Sequence, residues 1–250
     1  MEYFMENLEK KFEKIKISDK SDEINDFLIE IGKNARIEAV EYLNYFIKNK
    51  TSEAYNHIKI NLIYALGEVG KIVKLDNIHF EFLISEYYRS DRWVRNEIIL
   101  AFNKIYIKLK LSEQIIELIG RALNEEYKPI KLNALKFLLH VNNIPKFTLK
   151  NLIQVLNKSN SEIEELCISI LQKSIKDLNE LFDLLDFSET YKNLNKRAIR
   201  SLLLIYIDSI ERLGTLREFI KKSNFESESK EKFLNEINSY EHFLLKKPLL

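Results

Sequence analysis

Five stretches of this 250-residue chain can be laid over one another, and no other feature restricts its fold as much. They begin at Ile58, Val94, Ile130, Ile163 and Leu194, so successive starts lie 36, 36, 33 and 31 residues apart. The first residue is aliphatic each time. The sixth is Ile63, Ile99, Leu135, Ile168 and Ile199, and the ninth is Leu66, Phe102, Leu138, Leu171 and Leu202. At about 100° per residue, these positions and the fifth (Leu62, Ile98, Ala134, Cys167, Ala198) share one broad arc of a helix. A helix apolar over so wide an arc must touch two neighbours, its own partner helix and the next copy. An earlier copy ends in "IEIG" at 29–32, matching "GEVG" at 67–70.

Between the copies lie second amphipathic segments, at 35–49, 77–88, 112–125, 147–158 and 176–186, each set off by a short polar turn. Five glycines and three prolines in the whole chain leave little room for long turns, and no stretch alternates with the period of a strand. Helix-start chemistry recurs at the boundaries. Ser161 and Glu164 have capping-box spacing, Pro129 suits a first turn, and Ser90-Asp91 offers a cap ahead of Trp93. Residues 2–16 carry Phe4, Leu8, Phe12 and Ile15 on one stripe and can close the N-terminal end. Residues 226–247 can close the other, with Phe233, Ile237, Tyr240 and Phe243–Leu244 turned inward. The expectation is an all-α fold forming one domain over 1–250, with an N-terminal capping helix at 1–20, repeats at 21–212 and C-terminal capping helices at 213–250.

"DRWVR" at 91–95 and "ALGEVG" at 65–70 resemble HEAT repeats, and the likeness extends over residues 20–212. It implies an α-α superhelix, a HEAT-like solenoid of about six to seven helical pairs, whose second helices line the concave side. It also implies a ladder between basic residues at the second position and acidic turn residues: Lys59 with Glu53, Arg95 with Asp91, Lys131 with Glu125. Glu164 and Asn195 depart from that pattern, so the ladder should fade in the last two copies. The resemblance concerns architecture and points to no particular function.

Charge and composition narrow the function classes. With 39 basic against 38 acidic side chains, the net charge of +1 lacks the excess typical of nucleic-acid or membrane-surface proteins. The longest apolar run, "LLLIYI" at 202–207, is far shorter than the ~20 residues of a membrane span. "MEYFMENLEKKF" shows no signal-peptide pattern, which makes a cytoplasmic location the expectation. Heavy use of Lys, Ile and Asn suggests an AT-rich, prokaryotic genome. The single Cys167 leaves no internal disulfide or cysteine metal cluster, and its column marks it as a small core residue. His57, His79, His140 and His242 are scattered, His140 reading as a surface residue. The pairs Glu125–Glu126 and Glu164–Glu165 read as solvated faces. No metal-protease, phosphate-loop or nucleophile-elbow motif is present, so neither catalytic residues nor a cofactor or metal are expected.

The remaining signal lies behind each repeated helix. The third, seventh and tenth positions fall roughly opposite the buried arc and should be solvated. In the first three copies they include Ile60, Tyr64, Leu100, Leu132 and Leu139, an apolar strip where polar residues belong. Trp93, beside Tyr87, Tyr88, Arg89 and Arg92, either packs over the helix start or anchors a partner. Contiguous exposed apolar surface marks an interaction site. The sequence therefore suggests a non-enzymatic scaffold or adaptor that binds a partner helix or peptide through Ile60, Tyr64, Trp93, Leu100, Leu132 and Leu139. The alternatives are a regulatory subunit of an enzyme and a nucleic-acid-binding solenoid resembling DNA-alkylation-repeat proteins. The latter would use Lys146, Lys150, Lys158, Lys196, Arg197 and Arg200.

Overall fold

The computed structural model describes residues 2–18, 20–49, 54–106, 112–158, 161–207 and 210–246, with side chains for all of these except 2–7, 161, 210 and 244–246. Every regular element among them is helical. The chain packs as two compact units, one of Met1–Ile115 with Tyr127–Asn133 and one of Ile116–Glu126 with Ala134–Leu250.

The first unit holds α1 (Glu2–Lys16), α2 (Ser21–Lys33), α3 (Ala39–Lys48), α4 (Tyr55–Gly70), α5 (Asn77–Arg89) and α6 (Arg92–Tyr106). Helices α2, α4 and α6 pack side by side, α3 touches α5, and the pairs α3–α4 and α5–α6 join these two rows. The row of repeated helices is close because its contact points lack side-chain bulk. A Cβ on Gly32 would lie 2.4 Å from the Tyr64 ring, and one on Gly67 would lie 2.9 Å from the Ala101 Cα. The α1 helix closes this row. Phe12 is buried against Phe27 and Phe46, with the Tyr42 ring centroid 4.4 Å away. Leu8 and Ile15 follow it on the expected stripe, half-buried and buried, while Phe4 lies outside the described side chains.

Two elements span the boundary between the units in sequence, α7 (Glu113–Ala122) and α8 (Lys128–Leu138). The second unit continues with α9 (Lys146–Leu156), α10 (Ser161–Ser174), α11 (Leu178–Asp186), a 3-10 helix (Phe187–Asn193), α12 (Lys196–Leu204), α13 (Ile210–Lys222) and α14 (Ser227–Lys246). Helix α9 packs on α10, α11 and the 3-10 segment, and α14 packs on α12 and α13. Phe225 joins the 3-10 segment to the C-terminal helices, stacked 4.1 Å from Tyr191 and tilted against Phe233 at 5.6 Å.

Helix starts follow side-chain chemistry. Asp91 Oδ1 accepts the backbone N–H of Trp93 at 2.9 Å and of Val94 at 3.1 Å. Asp177 and Asn195 do the same for Glu180 and Ala198. Pro129 is the second residue of α8, where its missing N–H costs nothing. The side chain of Ser161, the other predicted cap, lies outside the described residues.

The repeat columns translate directly into burial. All five residues of the first, fifth and ninth columns are buried, and so are four of the sixth; Ile168 is half-buried. Three expectations need correction. The tenth column is not uniformly solvated, since Gly67 and Leu203 are buried. That position lies only about 40° beyond the sixth around the helix, at the edge of the buried arc. Phe243 does not face inward but is 56% exposed, and Leu244 lies outside the described side chains. The boundary expected between 212 and 213 falls inside α13, because Leu213 and Leu216 lie on its buried stripe.

Candidate protein-binding face

The six residues singled out in the sequence occupy α4, α6, α8 and the turn after α8. Ile60 is 42% exposed and Trp93 53% exposed, whereas Tyr64, Leu100, Leu132 and Leu139 are half-buried. Tyr64 has a structural task. Its ring covers Gly32 of α2, and Lys104 of α6 sets its ammonium 4.6 Å from the ring centroid. One side chain thus spans three consecutive repeated helices.

The polar neighbours of this strip fasten the helices in register. Asn61 Nδ2 donates to Asn25 Oδ1 at 2.8 Å, and Asn133 Nδ2 donates to Asn96 Oδ1 at 3.0 Å. Asn103 Nδ2 donates to the Asn133 carbonyl at 3.1 Å. Lys104 reaches Glu68 at 2.9 Å and Glu97 at 3.6 Å. Burial pushes the Glu97 carboxyl up, against the pull of Lys104. Burial acts the same way on Glu68, but Lys71 and Lys104 outweigh it and hold that carboxyl below its ordinary range. Short amides are neutral donors and acceptors at once, so a half-buried contact made by them involves no desolvated charge.

Residues of the expected acidic–basic ladder have other partners as well. Asp91 is occupied as the α6 cap, and Arg95 Nη1 donates to the Ser90 carbonyl at 2.8 Å. Lys59 sits 3.6 Å from the buried Glu86, whose carboxylate also accepts the Ser90 hydroxyl at 3.3 Å. Glu53 lies outside the described residues, and Lys131 forms no ion pair among them. Lys59 and Arg95 thus both reach the end of α5 and its following turn.

Trp93 belongs to a cluster the sequence only half revealed. Its ring meets Tyr127 at 5.3 Å and 66°, and the Arg92 guanidinium carbon lies 5.2 Å from one ring centroid and 5.3 Å from the other. Such cation–ring contacts contribute about 0.5–1 kcal/mol each at exposed sites. Tyr127 immediately precedes α8 and lies 34 residues from Trp93, close to one repeat period, which is the signal that could have found it.

Elsewhere, other groups are engaged or isolated. Arg197 pairs with Glu164, which also accepts the Ser201 hydroxyl at 2.5 Å, and Arg200 pairs with the buried Glu236 at 2.9 Å. The Ser201 hydroxyl first, and Arg197 with it, hold the Glu164 carboxyl down. Two members of the proposed basic set are thus already ion-paired, while Lys146, Lys158 and Lys196 are exposed and Lys150 is half-buried near Phe187. Cys167 is buried, and His140 is exposed. A shallow cleft between α1, α2 and α3 is lined by Leu8, Ile31, Ala39 and Tyr42 with Glu30 and Arg36 among its polar residues. Among the described residues, no group of three or more His, Cys, Asp or Glu is placed to hold a metal ion. None of their helices is long and apolar enough to cross a membrane.

No family model matches the chain. No curated protein matches it either. Among solved structures, the chain is similar to an engineered protein at 14% identity and a TM-score of 0.55, over 92% of this chain and 68% of that one. A second engineered protein aligns at 13% identity and a TM-score of 0.49, over 93% and 97% of the two chains. At such identity the first likeness concerns the fold alone.

Proposed function

We propose that this protein is a non-enzymatic scaffold or adaptor of HEAT-like build, binding a partner helix or peptide on the face made by α4, α6 and the first turns of α8. The observation that carries this reading is the contrast within one repeated helix. Positions one, five and nine are buried in every copy, yet the opposite side of the first three copies still carries Ile60, Leu100 and Leu132 beside an exposed Trp93. An apolar side chain that contributes little to the core and sits on helices locked in register is suited to a partner. Trp, Tyr and Arg, the residue types that dominate interface hot spots, meet at the edge of that face.

The test places a photo-crosslinking residue at Ile60, Leu100 or Leu132 and, as a control, at the exposed Gln172 of a later copy. Irradiation in a lysate of the source organism should yield the same defined adduct from the first three sites and none from Gln172. The adduct should disappear when Leu100→Asp is added to the Ile60 probe. Equal labelling from all four positions would sink the reading.

A further inference from the structure

The arginines of this molecule differ in what holds them. Arg197, Arg200 and Arg217 are each held by a carboxylate, from Glu164, Glu236 and Glu241. Arg92 is held by the rings of Trp93 and Tyr127 instead, and it makes no ion pair or hydrogen bond to a carboxylate among the described residues. Arg89, three positions earlier at the end of α5, is likewise exposed and without a carboxylate partner among them. The one acidic side chain in the intervening turn, Asp91, is committed to the start of α6. Three residues of chain separate the two arginines by no more than about 11 Å, so both can serve one short segment. Tyr88, next to Arg89, is 59% exposed.

We propose that the turn between α5 and α6, with the start of α8, binds an acidic peptide segment of a protein partner. Its carboxylates are accepted by the guanidinium groups of Arg92 and Arg89, and its apolar side chains lie against Trp93 and Tyr127. This rests on the reading of the protein as a binding scaffold and names the chemistry of what it binds. Contact with two rings holds the Arg92 guanidinium in place in advance, and a planar fork of donors matches a carboxylate bidentately. Pre-organisation of that kind lowers the entropy lost on binding. A single-stranded nucleic acid fits less well. Its bases need open ring faces to stack on, whereas here the rings meet edge to face and Arg92 lies over both.

Trp93 is the only tryptophan, so its fluorescence reports on this site directly. The probe is the capped peptide EELLEELL, titrated at low salt beside its amide counterpart QQLLQQLL, with calorimetry as a second readout. The acidic peptide should bind with a Kd of about 100 µM or tighter, and the amide peptide at least about tenfold more weakly. Arg92→Gln should cost the acidic peptide at least about tenfold, Arg92→Lys less, and Arg212→Gln, at an exposed position far along the chain, nothing. Because Arg92 is exposed, its variants should stay folded and melt only a few degrees below the parent. Equal binding of the two peptides, indifference to Arg92→Gln, or tighter binding of oligothymidylate than of the acidic peptide would each overturn the proposal. If it fails while crosslinking at Ile60 and Leu100 still yields one adduct, the scaffold reading survives without it; if both fail, that reading falls too.

Discussion

In the first unit, α4 and α6 meet through Gly67 against Ala101, and Lys104 is drawn inward to Glu68 and Glu97. In the second, α10 and α12 are tied by the outer pair Arg197–Glu164, and the exposed Arg200 reaches the buried Glu236 of α14. The inner columns are alike in both, so the difference lies behind them. Tyr64 and Leu100 occupy the seventh position in the first unit, Ser169 and Arg200 in the second. The same buried stripe thus supports two kinds of surface. One carries apolar side chains, and the other carries charged ones held by part-exposed ion pairs. A surface ion pair contributes only about 0–1 kcal/mol, so the second surface is inexpensive to solvate. An apolar strip gains most when another surface covers it.

Matched substitutions can break that comparison. The largest effect is expected in the sixth column. Ile99→Asp places a carboxylate at a fully buried site and should cost about 4 kcal/mol or prevent soluble expression. Ile168→Asp, in the same column but half-buried, should cost about half as much. Urea melts decide the matter, and equal losses would mean that Ile168 is buried as fully as Ile99.

Next come two glycines in helix interiors. Gly67→Ala drives a methyl to within 2.9 Å of the Ala101 backbone and should destabilise by about 1–2 kcal/mol. Gly214→Ala meets nothing within 4 Å and should stabilise by about 0.5–1 kcal/mol through helix propensity. The sign difference can be read from melting temperatures alone.

Smaller still is the seventh column. Leu100→Asp should cost about 1 kcal/mol, because its side chain is half-buried, and Ser169→Asp should stay within about 0.5 kcal/mol. If Leu100→Asp unfolds the protein as readily as Ile99→Asp, the strip is core and the binding face is misassigned.

The gentlest effect is a pH dependence confined to the first unit. His79 is fully buried, and its Nδ1 accepts the Asp76 backbone N–H at 3.2 Å. Burial, opposed in part by Asp76, holds its pKa below the ordinary 6.5. The unfolded chain therefore binds a proton that the folded one resists, and stability rises with pH between the folded-state pKa and 6.5. Its contribution is intact above 6.5 and lost as pH falls through that window. His79→Gln should flatten the slope of unfolding free energy there, and an unchanged slope would show that other groups produce it.

Much of this was legible along the chain because a helix converts sequence spacing into angle. Ile58, Leu62 and Leu66 had to share a side, and they are buried. Asp91 was recognisable as a cap from its place ahead of Val94. The amide links were not, although Asn25, Asn61, Asn96 and Asn133 recur at intervals of 35 to 37 residues, because a polar residue on a back face looks like any other solvated one. Tyr127 was overlooked for a related reason, as its partner Trp93 lies one repeat away.

The sequence alone determined the helical class, the helix order, the repeat phase and nearly all of the core, since these follow from local periodicity and from the need to bury an apolar arc. Tertiary packing decided the rest: that Tyr64 lies over a glycine of α2, that Lys59 is directed to Glu86, and that Arg92 lies over two rings. Each of these depends on how closely two helices approach. That distance is set by side chains a whole repeat apart, which spacing within one helix cannot encode.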